Sequence, residues 1–144
     1  MKEVFEENIG LLIHDVGRLL RVLYDRQMAS IGLTRSQWLL LTYLYFKDGI
    51  NQTELASLMD MEKAPLSRLL DRMEIKGWII RKNETKDRRI KNIYLSESVK
   101  PFVSSLREKA AKYRKDSLSI LSDKELSKLR DLLQVLKKDL TSKL

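Results

Sequence analysis

The side chains in this sequence that could do chemistry are cations, gathered in two short stretches. One is "NETKDRRIKN", Asn83 to Asn92, where one acid, Asp87, is set directly among Lys86, Arg88, Arg89 and Lys91. Arg81 and Lys82 lie just ahead of it. The other is "KAPLSRLLDR", which carries Lys63, Ala64, Pro65, Ser67, Arg68 and Arg72. Cations in such a pattern bind anions rather than make or break covalent bonds. Arginine's planar fork grips two acceptors at once, whereas lysine acts as a point charge. Asp87 adjoins Arg88 and lies two residues from Arg89, so it can pair with one of them and fix the loop. An arginine left free would lose rotamer entropy on binding, up to ~2 kcal/mol.

Catalytic and metal-binding residues are scarce by comparison. Cysteine is absent, which removes disulfides, thiolate zinc sites and a thiol nucleophile. The one histidine, His14, makes a multi-histidine metal site impossible. It shares a helical face with Arg18, Arg21 and Asp25, a polar setting that gives it no catalytic role. The sequence has no Gly-rich phosphate loop and no nucleophile–base pair. Neither an enzyme nor a cofactor is expected.

The elements that must carry the cations are legible from periodicity and caps. Ile9, Leu12, Ile13, Val16, Leu19, Leu20 and Leu23 recur at helical spacing, predicting a first helix that Gly32 closes. Gly17 within it suggests close packing against another element. "TRSQ", "NQTE" and "SDKE" each read as a reciprocal helix cap, placing helix starts near residues 34, 51 and 122. Gly49 and Gly77 stand where helices end. Leu66, Leu69, Leu70 and Met73 form an apolar stripe between Glu62 and Lys76, with Pro65 in the first turn. "WIIRK" and "IKNIYLS" read as two short strands joined by the Asp87 loop. After Ser96 two helices close the chain, the first running to about Leu121. In the last, Leu126, Leu129, Leu133, Leu136 and Leu140 step by three and four, a heptad-like seam.

A short helix followed at once by a second is the helix-turn-helix arrangement, and the basic hairpin after it makes a winged version. On the second helix Arg68 has the fork geometry for guanine edges in a major groove. Arg81, Lys82, Lys86 and Lys91 would add sequence-independent phosphate contacts. The 144 residues are 43% hydrophobic and 33% charged, as in one ordinary domain. The net charge of +8 favours polyanionic partners, either nucleic acid or an anionic membrane. No apolar run approaches the ~18 to 20 residues of a membrane span, and "MKEVFEEN" is unlike a signal peptide. A cytoplasmic protein is therefore expected. The competing reading is a basic amphipathic helical protein that binds RNA or anionic membrane without reading sequence.

"LTRSQW", "QTELASLMDMEKAPLSRLLDRMEIKGWIIR" and "KDRRIKNIYLS" resemble the MarR family of bacterial winged-helix regulators, and most its SlyA-type branch, from about Ile9 to Leu136. The resemblance implies a mainly α fold with a small two- or three-stranded β-wing. It implies one domain over 1–144, with a winged helix-turn-helix lobe at about 34–96 and dimerisation helices at 1–31 and 97–144. The implied partners are double-stranded DNA and a second copy of the chain, acting as a repressor at palindromic operators. Arg68 then reads bases, Asp87-Arg88-Arg89 forms the wing tip, and Arg89 enters the narrow, negative minor groove while Arg88 meets phosphate. Arg18 and Trp38 match positions lining a cleft that accepts small aromatic carboxylates. One departure is "SESVKP", where many members place glycine after the wing's second strand.

Overall fold

The computed structural model describes residues 4–144. A single 3-10 turn at Phe5–Glu7 precedes the long helix α1, Ile9–Ala29. Then follow α2 (Arg35–Phe46), the two-residue strand β1 (Ile50–Asn51), α3 (Gln52–Leu58) and α4 (Lys63–Ile75). The hairpin strands β2 (Ile79–Asn83) and β3 (Lys91–Leu95) lead into α5 (Lys100–Ser117) and α6 (Asp123–Ser142). Antiparallel pairing in the order β1-β3-β2 makes the sheet three-stranded. The fold is mainly α with a small β-wing. The chain forms two compact units, the first extending to Lys109 and the second running Ala110–Leu144, so the boundary falls inside α5.

The caps explain most helix starts. Thr34 accepts from the Gln37 amide while Gln37 accepts from the Thr34 amide, and Ser122 and Glu125 repeat the exchange at α6. At α3 only half of the expected box forms. Asn51 accepts from the Glu54 amide at 2.8 Å, but the Glu54 carboxylate turns towards Lys47 at 3.9 Å. Asn51 is also a strand residue, paired with Asn92, which the cap pattern alone conceals.

The core of the first unit is built from α2, α3, α4 and the sheet. Leu40, Leu44, Leu55, Leu66, Leu70, Met73 and Ile93 are fully buried. A seven-residue helix such as α3 is unstable alone, and burial of Leu55 and Ala56 holds it. Losing any one of these leucines to alanine costs about 2–5 kcal/mol. In the hairpin Ile93 and Leu95 face the core, with Asn92 and Tyr94 on the other side, as the alternation predicts.

Two glycines set the geometry around the wing. Gly77 has φ +74 and ends α4, its amide donating to the Glu74 carbonyl and the Trp78 amide to the Met73 carbonyl. This pair of hydrogen bonds turns the chain straight into β2. Gly49 has φ +85, and a Cβ there would stand 2.8 Å from the Tyr94 ring, so only glycine lets β1 reach β3. Gly17 differs from expectation. A Cβ at that position meets nothing within 4 Å, so it makes no close approach within the described chain. α5 also stops short of the expected Leu121, because residues 118–121 leave the helix in a turn before the Ser122 cap.

Candidate nucleic-acid interface

Burial decides which face of α4 is free. Leu66, Leu69, Leu70 and Met73 point into the core, which leaves Lys63, Ala64, Arg68 and Arg72 outward, with Pro65 and Ser67 half-buried at the flanks. Ala64, Arg68 and Arg72 recur every four residues and form one exposed row. The turn before α4 is unusually tight. Asp60 occupies the left-handed region at φ 50, where its amide donates to the Ser57 carbonyl and the Met61 amide to the Ala56 carbonyl. Aspartate tolerates that conformation better than most residues other than glycine.

A polar groove of about 530 Å³ opens between this helix, the start of α3 and the hairpin. Its walls are Asn51, Gln52 and Thr53 on one side, Lys63 and Ser67 on α4, and Arg89, Ile90 and Lys91 from the hairpin loop. Residues distant in sequence thus meet at one surface. Neither the cap pattern nor the resemblance of this stretch marks Gln52 and Thr53 as residues of the groove. Their proximity to the cations is a tertiary fact with no local signal.

The hairpin loop is ordered by Asp87. Asp87 accepts from the Arg89 amide at 3.0 Å and from the Arg89 guanidinium at 3.2 and 3.3 Å. The Ile90 amide donates to the Asp87 carbonyl, and the Glu84 amide to the Ile90 carbonyl, closing the loop. Hydrogen bonds from the Arg89 side chain and then its amide hold the Asp87 carboxyl below its ordinary range. Arg89 remains 91% exposed, an arginine that is aimed yet solvated. Lys86, Arg88 and Lys91 are exposed around it, and Lys82 lies over the Tyr94 ring at 5.3 Å.

Arg81 does not join this outward set. Its guanidinium turns onto α4, donating from Nε to Glu74 and from Nη2 to Asp71, both at 2.5 Å. Only 19% of its side chain is exposed. Against its partial burial, the hydrogen bonds to Glu74 and Asp71 raise its pKa further. The guanidinium expected to face phosphate is here engaged by these two carboxylates.

The structure does not bring Arg18 and Trp38 into contact with each other through any hydrogen bond or ring contact. Arg18 donates to Asp15 one turn back on α1, at 3.3 Å. The Trp38 indole donates to Asp25 of α1 at 3.0 Å and meets Tyr24 edge-on, with ring centres 6.2 Å apart. Asp25 also accepts from Arg35, and that bond is the main reason its carboxyl lies below the ordinary range. Asp25 is the hub joining α1 to α2, a role that no local pattern of residues marks.

In the second unit, Leu126, Leu129 and Leu133 line an apolar groove of about 490 Å³ with Ala111 and Leu118 of the preceding segment. Leu129, Leu133, Leu136 and Leu140 all remain exposed, and so do Leu132 and Val135 beside them. On α1, Ile9, Leu12, Ile13, Val16, Leu19 and Leu23 are likewise exposed. Among the described residues no helix is long and apolar enough to cross a membrane, and no cluster of acids and histidine could hold a metal ion.

Comparison with known proteins agrees with this geometry. Residues 33–91, which span the end of α1's loop to the wing, match the model of the MarR family. The transcriptional regulator SlyA superimposes with a TM-score of 0.77 at 26% identity, over 94% of this chain and 96% of that one. A MarR transcriptional regulator from Methanosarcina mazei Go1 gives 0.81 at 22% identity, over 94% and 98%. A mutant MarR from E. coli, complexed with operator DNA, gives 0.75 at 23% identity, over 94% and 99%.

Proposed function

We propose that this chain, whose residues 33–91 match the MarR family model and which resembles the regulator SlyA over most of its length, is a sequence-specific, double-stranded DNA-binding transcriptional regulator, acting as a homodimeric repressor at palindromic operators. The observation that carries this reading is the convergence of Lys63 and Ser67 of α4 with the aspartate-held Arg89 on one groove. α4 has its core face fixed and its Ala64-Arg68-Arg72 row free, the condition for a helix to enter a major groove. On this reading Arg89 inserts into the neighbouring minor groove, with Lys82, Lys86, Arg88 and Lys91 on phosphates. Gln52 and Thr53 of α3 join them on the backbone side.

The same likeness supports pairing of two chains through their exposed apolar rows. We assign those of α1 and α6 to that pairing, with Leu129, Leu133, Leu136 and Leu140 as its centre. A small aromatic carboxylate is the proposed effector, taken by Arg18 and Trp38 near the Asp25 hub. Selection of bound duplexes from a random DNA pool tests the function. Recovery of a palindrome supports it, whereas unenriched recovery would favour a non-specific polyanion binder.

A further inference from the structure

Arg81 is one of the most enclosed cations of the winged lobe, and it is spent on two acids of the recognition helix rather than on solvent. Asp71 and Glu74 lie three residues apart on α4, a spacing that sets both carboxylates on one side of the helix. Arg81 is the third residue of β2, opposite Ile93 in the ladder. The short link through Gly77 already joins the near ends of α4 and β2, so the guanidinium fastens a second point further along. Two points fix an angle that one leaves free.

We propose that Arg81 is a positioning residue, which, by bridging β2 to Asp71 and Glu74, sets the angle between recognition helix and wing so that both reach their grooves together. This rests on the DNA-binding reading above. Arg89 lies four residues before Ile93, the ladder partner of Arg81, a lever of ~13 Å at the rise of an extended strand. A rotation of ~15° at the hinge then moves Arg89 by ~3 Å, about half the ~6 Å width of a minor groove. A misplaced wing therefore misses the groove even though every DNA-facing residue is present.

The test uses opposed signs. Asp71→Asn with Glu74→Gln removes two negative charges beside the interface, which by counterion release alone should tighten binding to every duplex. A positioning role predicts the reverse for the selected operator. Full-length wild type and double variant are titrated against that operator and a random duplex, with hydroxyl-radical footprinting at the wing site. The expected result is random binding equal or tighter and a specificity ratio reduced about tenfold or more, with the minor-groove footprint lost. The exchange Arg81→Glu with Glu74→Arg restores the bridge and should recover much of the ratio. If thermal unfolding shows the double variant unfolded, Glu74→Gln alone is judged by the same ratio. Operator and random affinity rising together, with the footprint kept, would overturn the proposal while leaving the function intact. A wild type that prefers no duplex would instead overturn the function itself.

Discussion

At the scale of single residues, two cations of similar charge do different work. Arg68 stands in the exposed row of α4, and Lys82 lies over Tyr94 on the wing. Arg68→Ala should cost ~1–3 kcal/mol on the operator and relax preference at one position per half-site. Lys82→Ala should weaken all duplexes alike and reduce the salt slope by about one. Titration on operator and random DNA at several salt concentrations separates them, and equal losses on both duplexes for Arg68→Ala would confine Arg68 to phosphate. At the wing tip Arg89→Ala should be the most damaging change, Asp87→Ala the next and Lys86→Ala the least. In the proposed mode Arg89 is the inserted group, whereas Asp87 aims it through three hydrogen bonds. Preferred sites should carry A·T-rich flanks, where the minor groove is narrow. A silent Arg89→Ala with no flank preference would reduce the loop to a solvated turn.

At the scale of elements, what could be read from sequence was what is local. The Thr34 and Ser122 caps are closed within four residues, and the Gly77 turn within six, so their signals survive in a short stretch of chain. The Asp87-Arg89 pairing is local too, and the reading that one acid fixes an arginine there could be made from spacing alone. The partners of Arg81 lie seven and ten residues back across a turn, and Trp38 meets Asp25 thirteen residues away on another helix. β1 exists only because Gly49 lets Ile50 and Asn51 reach Ile93 and Asn92. None of these contacts leaves a periodicity or a motif. Gly17 is a related case: a glycine's lost helix stability is visible in sequence, but what surrounds it is not, and within the described chain nothing approaches it. The leucine row of α6 is local again, and it gives a direct test. Leu129→Glu with Leu133→Glu places two charges in the proposed subunit seam. Such a chain should run as a monomer, or aggregate, in sedimentation, and should lose operator binding. A soluble dimer with normal binding would remove α6 from the interface.

For the whole molecule, regulation and recognition must share one free-energy scale. The operator half-sites of a dimeric helix-turn-helix protein lie about one turn, ~34 Å, apart, a spacing a rigid dimer can miss only slightly. A small aromatic acid bound by Arg18 and Trp38 would act on the Asp25 hub that joins α1 to α2. Salicylate, as the probe, should weaken operator binding by ~1–3 kcal/mol, and operator DNA should weaken salicylate binding by the same factor. Trp38 fluorescence should quench against the Trp78 background, and Arg18→Ala should abolish the effect. Salicylate that binds without changing operator affinity would sink the effector assignment but not the DNA reading. The central claim is sequence reading by a paired winged lobe, and specific competition tests it most directly. Labelled operator from the selected pool is bound to the full-length chain at moderate salt, then challenged with unlabelled operator or random duplex. The account predicts that operator competes at least ~10³-fold better than random DNA; equal competition by the two would contradict it.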